Sequence, residues 1–248
     1  MKCLANFLCL AAISASALQA GKQDEVFGIS LQQPHGAASF SLPMQIIVVL
    51  TLLTVLPAVI MSLTPFLRIS VVLHFLRQAL GTQTTPSNQV LIGLALFLTM
   101  LIMQPVVTDM YHQGWEPLEN GQATWQQAFD SGTVPLKAFL AHYVREKDVR
   151  LFLEISHTPA PRRPSDLGLA VLAPAYVLSE LKTGFQIGAI LYLPFLVIDL
   201  VVASVTLSIG MVQLPPVMLS APFKILLFVL VDGWNLVVGS LLRSFYQT

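Results

Sequence analysis

Apolar runs long enough to cross a lipid bilayer, and almost empty of charge, recur along this chain. Met44 to Leu63 is twenty residues without a charged side chain, and Val90 to Thr108 is nineteen. Two further runs, Ile187 to about Met211 and Val217 to about Leu242, are as apolar but carry Asp199, Lys224 and Asp232. About 20 apolar residues of helix cross a hydrocarbon core of about 30 Å. Backbone polar groups in that core must be satisfied within the structure that spans it, so only helices or closed barrels cross. Unbroken runs of this length read as helices. The expected fold is an all-α membrane protein with about four long hydrophobic helices, arranged as helical hairpins, and a small, mostly helical extramembrane insertion.

Charge is scarce and uneven. Charged residues make up 10% of the chain, against about 25% in an ordinary soluble domain. Sixteen of the 26 formal charges lie between Asp109 and Lys182. That places the soluble-looking part of the chain at 109–167, with Trp115, Trp125 and a Pro/Arg-rich turn from Thr158 to Pro164. Net charge is zero and no basic block is present, so nucleic acid is excluded as a partner.

Residues 1–20 read as a cleavable signal peptide, with Lys2 at its start, an apolar stretch from Leu4 to Leu18 and small residues where cleavage occurs. The alternative is an uncleaved first membrane helix. Both cysteines, Cys3 and Cys9, fall in this segment, so a mature chain would have no disulfide, thiol catalyst or cysteine-based metal site. The expected organisation is an exported arm at 21–43, a first hydrophobic helical pair at 44–108, a periplasmic helical insertion at 109–167 and a second hydrophobic pair at 168–248, with a loop near 209–216. With both mature ends outside, Arg68 and Arg77 belong to the cytoplasmic connection.

The stretch from Pro65 to Leu80 differs from the spans. Ser70, His74, Arg77 and Gln78 recur at helical spacing and form a polar stripe on an apolar helix. Such a helix lies at the membrane interface, or turns its polar face to a partner subunit or an internal passage. Pro174 to Thr183 reads as a separate, moderately polar helix leading into the third span.

Glu180, Asp199, Lys224 and Asp232 stand in or beside the last two apolar stretches. A charge facing lipid at a helix centre costs about 2.5–3.5 kcal/mol. Each apolar residue of a span returns only about 0.3–0.6 kcal/mol. These side chains therefore face partners, water or one another. Glu180 and Lys224 form an ion pair in this reading, within one chain or between chains; a pair of that kind either serves assembly or fixes helix register. An aspartyl dyad of Asp199 and Asp232 is disfavoured by contexts, VIDLVV and LVDGWN, that lack flanking glycines. A proton relay through the same carboxylates is a further reading. The five histidines show no metal-ligand spacing, and no nucleotide-binding, zinc-protease or nucleophile motif occurs. The chain is not expected to be an enzyme, and no catalytic, cofactor or metal residues are assigned.

Gly184 and Gly188 form a GxxxG spacing that lets helix backbones approach closely and, with the buried charges, favours a packed oligomer. The loop SIGMVQLPPVM is fixed by two prolines and presents Ile209, Met211, Val212 and Met218. It reads either as a tight interfacial turn or as an apolar constriction in a passage.

Three stretches, RQALGTQTTPSNQVLIGLALFLTM, SELKTGFQIGAILYLPFLVIDLVVASV and LPPVMLSAPFKILLFVLVDGWNLVVGSL, resemble the hallmark segments of the FliP family, and the resemblance covers Met44 to Phe245. It implies a core subunit of the flagellar type III export gate in the basal body and inner membrane. Such a subunit forms a homo-oligomer, a pentamer, that assembles helically with FliQ-like and FliR-like subunits and other export components and passes unfolded flagellar proteins. It further implies that Ile209, Met211 and Val212 form a pore gasket, here with fewer methionines than the family pattern. Glu180 and Lys224, with Asp199 and Asp232, are then assembly charges. A self-contained proton-coupled transporter is the alternative.

Overall fold

A computed structural model describes residues 42–82, 85–157, 167–210 and 215–246. The expected signal peptide and nearly all of the expected arm lie outside the described residues, as do Met211 and Val212. The chain divides into two units, 1–54 and 55–248. Helix α1, Leu42–Ser62, runs across that boundary. In the first unit its threonines turn inward on the backbone: Thr51 Oγ1 donates to the Ile47 carbonyl at 2.7 Å, and Thr54 Oγ1 to the Thr51 carbonyl at 2.9 Å. Their hydroxyls are thereby satisfied without water, while Ile46, Ile47, Leu52 and Leu53 stay exposed.

The second unit is organised around α2, Phe66–Ala79, the most deeply buried helix. Ile69, Val72, Leu73, Leu76 and Ala79 follow helical spacing and are essentially inaccessible. They meet Leu91, Ala95, Leu98 and Ile102 of α3, Asn88–Met110, and Phe195 of α7, Leu169–Ser208. The polar stripe expected for α2 is present in part: His74 and Gln78 are exposed, Arg77 is half-buried and the Ser70 hydroxyl is buried. Its apolar face, however, packs on protein instead of resting on lipid.

Beyond α3 the chain passes through a π-helical turn, Tyr111–Trp115, into the short α4, Glu116–Glu119. Helix α5, Trp125–Tyr143, starts at a capping box in which Thr124 Oγ1 accepts from the Gln127 amide and Gln127 Oε1 from the Thr124 amide at 3.0 Å. Helix α6, Glu146–Ile155, opens with Glu146 and Asp148 in its first turn, where acidic side chains favour the helix dipole. A second core cluster, Leu140, Leu153, Leu167, Val171, Leu172 and Tyr176, joins α5, α6 and the start of α7.

Two expectations about the last part of the chain are revised. The polar Pro174–Thr183 stretch does not form a separate helix: α7 continues through it for 40 residues. Its polar side chains have partners there (Ser179 with Asp148, Glu180 with Arg68, Thr183 with the Ser179 carbonyl), so polarity gives the helix no reason to end. The expected last span is instead broken. Helix α8, Pro216–Leu230, and α9, Gly233–Tyr246, meet at 65°. Asp232 sits at the break with φ 50°, a left-handed conformation that aspartate tolerates. A Cβ on Gly233 would come within 2.2 Å of the Phe228 ring, so any larger residue at this position must displace that buried ring.

Among the described residues, three helices are long and apolar enough to cross a membrane: Pro43–Ser62, Asn88–Glu119 and Leu169–Ser208. The bent α8–α9 pair makes a fourth if it is one span.

Candidate functional site

The seam between α2 and α7 begins with glycine. A Cβ on Gly184 would lie 3.2 Å from the Val71 side chain, and one on Gly188 would lie 2.6 Å from the Phe75 ring. The GxxxG spacing therefore brings α7 against α2 within one chain. It carries no independent argument for contact between subunits.

That close approach places Glu180 beside Arg68, and the two form a buried, forked ion pair. Arg68 Nε donates to Glu180 Oε2 at 2.9 Å, and Nη2 donates to Oε1. Glu180 is 0% exposed and Arg68 is 4% exposed. The remaining guanidinium nitrogen, Nη1, donates to Ser244 Oγ at 3.2 Å. The Arg68 Cζ stands 4.0 Å from the centre of the Phe245 ring and 5.7 Å from that of Tyr143. Tyr143 in turn donates its hydroxyl to the Phe245 carbonyl at 2.5 Å. One arginine thus ties α2, α5, α7 and α9 together. Removing one member of a buried pair of this kind costs about 3–5 kcal/mol, because the other charge is left uncompensated.

At the position preceding Glu180 on α7, Ser179 donates to Asp148 Oδ2 at 2.7 Å and accepts from the Arg145 amide at 3.1 Å. The Arg145 guanidinium donates to Thr183 Oγ1 at 3.1 Å and to Gln186 Oε1 at 2.5 Å. The link between α5 and α6 is docked on α7 by these bonds.

A second charge centre pins α7 to α8. Lys224 Nζ donates to Asp199 Oδ2 at 2.6 Å, and Ser220 Oγ donates to Asp199 Oδ1 at 2.5 Å. Lys224 is 1% exposed and the Asp199 side chain 21%. The charges thus pair differently from the expected Glu180–Lys224 contact. Each binds a partner on the helix packed against it, and Arg68 is the partner of Glu180 across 112 positions. The expected cytoplasmic place of Arg68 is revised: it packs beside Tyr143 of the 109–167 insertion and lies on the same side as that insertion. The sequence did carry a signal: Arg68 lies off the polar stripe of α2, on the face occupied by Ile69, Val72 and Leu76.

Asp232 is exposed and shapes the α8–α9 break. An aspartyl dyad needs two carboxylates sharing a proton. Asp199 has an ammonium and a hydroxyl for partners instead. Among the described residues no group of three or more His, Cys, Asp or Glu side chains can hold a metal ion. Of the expected gasket residues only Ile209 is described. It is 68% exposed at the end of α7 and is followed by Gly210 at φ 80°.

The sequence matches the FliP family model over residues 49–241. It is 48% identical over 214 residues to the flagellar biosynthetic protein FliP of Pectobacterium carotovorum subsp. carotovorum, covering 86% of this chain and 83% of that one. It is 47% identical over 201 residues to the flagellar biosynthetic protein FliP of Bacillus subtilis (strain 168), covering 81% and 91%. To that of Borreliella burgdorferi it is 38% identical over 251 residues, covering 98% and 99%.

Proposed function

The chain belongs to the FliP family, and from that premise we propose that it is a channel-forming subunit of the gate through which unfolded flagellar proteins cross the inner membrane. Family membership makes it a component of the flagellar export apparatus and not an enzyme. In this reading it forms a homo-oligomeric ring, a pentamer, with FliQ-like and FliR-like subunits. Ile209, Met211 and Val212 would close the passage between substrates. Its arm and the 109–167 insertion face the periplasm.

The observation that carries the reading is where the apolar surface lies. Along α1, the second half of α7 and α8, large apolar side chains such as Leu53, Leu200, Val201, Leu226 and Leu230 are exposed, while Glu180 of α7 is closed on Arg68 of α2 and Asp199 of α7 on Lys224 of α8. Lipid and neighbouring subunits are the solvents that suit such a surface. A self-contained proton-coupled transporter would need carboxylates free to exchange protons, and Glu180 and Asp199 are instead paired with Arg68 and Lys224.

The test is the native mass of the detergent-solubilised protein expressed together with FliQ-like and FliR-like partners. A discrete assembly with several copies of this chain and both partners is expected. A stable monomer or homodimer that ignores those partners would overturn the gate reading.

A further inference from the structure

We infer that Arg68 is a positioning residue acting inside one chain: held by Glu180, its guanidinium seats the last turn of α9, and Glu180 contributes to assembly through this packing instead of by pairing with a neighbouring subunit. The assembly clause rests on the gate reading; the seating of α9 does not.

The geometry leaves Glu180 nothing to offer a neighbour. Both of its carboxylate oxygens are taken by the same guanidinium, and the side chain has no exposed surface. Arg68 is used on every side. Its fork holds the carboxylate, Nη1 holds Ser244, and its plane covers Phe245. Arginine suits such a place because its fork is planar and stacks on aromatic faces, where lysine offers only a point charge. Helix α9 depends on this contact. Trp234 and Leu236 near its start are exposed, and its deepest side chains, Leu241 and Phe245, lie in the last two turns. Tyr143 fixes the same turn from the other side through the Phe245 carbonyl. The groups facing Arg68 are therefore Glu180, Ser244, Tyr143 and Phe245, from α7, α9 and α5.

The experiment uses the full-length chain with Cys3→Ser and Cys9→Ser and one reporter, Leu241→Cys, whose parent side chain is 2% exposed. Maleimide labelling in detergent reads how often the last turns of α9 lift. Arg68→Met and Glu180→Gln should each accelerate labelling by about a hundredfold to a few thousandfold, the scale of breaking a buried pair, and the double variant should be no faster than either. A control reporter at Leu153→Cys, in the second core cluster, should keep its rate. Unchanged labelling at 241, additive effects, or equal acceleration at 153 would overturn the assignment. For the assembly clause, chains carrying Arg68→Glu and Glu180→Arg are co-expressed with the partners. Failure to restore the complex is expected, and mutual rescue would show that the pair forms between subunits and overturn the inference. If the unmodified chain forms no complex at all, the gate reading fails, while the labelling result still decides the seating of α9.

Discussion

Helix α7 is one helix in two environments. From Val171 to Gly188 its buried positions recur regularly: Val171, Leu172, Ala175, Tyr176, Ser179, Glu180, Gly184 and Gly188. Beyond Gly188 only Phe195 and Thr206 are buried, and Ile190, Leu193, Val197, Leu200 and Val205 are exposed. Polar residues occur in both halves, but the large side chains exposed along the second half are apolar, the reverse of a soluble helix. Where protein surrounds the helix, a glutamate is affordable because Arg68 satisfies it, and glycines are useful because they admit α2. Where protein stops, only apolar side chains suit a hydrocarbon neighbour, and the one charge present, Asp199, is neutralised by Lys224.

Four substitutions test this contrast, and their expected effects differ in size. The largest effect is expected from Glu180→Ala, which strands Arg68 in the interior and should destabilise the chain by about 3–5 kcal/mol; thermal unfolding in detergent reads it, and a loss under about 1 kcal/mol would show that water reaches the pair. Gly188→Val forces a branched side chain onto the Phe75 ring and should cost about 1–3 kcal/mol by overpacking. Lys224→Met should cost about 1–3 kcal/mol, less than Glu180→Ala, because Asp199 keeps Ser220 and some exposure. Leu200→Ala, in the exposed half, should change the unfolding of the isolated chain by no more than about 0.5 kcal/mol. The same substitution should reduce recovery of the multi-subunit complex. A large effect of Leu200→Ala on the isolated chain would abolish the contrast between the halves.

The parts of this fold legible in the sequence were those set by local pattern. Apolar runs marked the long helices, the stripe from Ser70 to Gln78 marked α2 as amphipathic, and Gly184 with Gly188 marked a close helix contact. What stayed hidden depends on topology. Arg68 meets Glu180 only because α2 folds back along α7, and no local pattern carries a pairing across 112 positions. Glu180 and Lys224 have opposite charges and could pair as far as the sequence goes, whereas each has a partner on the helix packed beside it. The unbroken course of α7 was missed for the same reason: Ser179, Glu180 and Thr183 look like a polar break until their partners are known. The break at Asp232 was carried by two residues, one in a left-handed conformation and one without a side chain, inside a run otherwise apolar enough to read as continuous.

The length of α7 has a consequence of height. Forty residues at 1.5 Å each make about 60 Å of helix, twice the roughly 30 Å of a hydrocarbon core. Only half of it fits inside a bilayer at once. If the exposed half, from about Gly188 to Ser208, occupies that layer, Glu180 and the elements gathered on it stand clear of the lipid. The nineteen residues from Glu180 to Asp199 then act as a ruler of about 28 Å, holding the Arg68 centre at one level and the Lys224 centre at another.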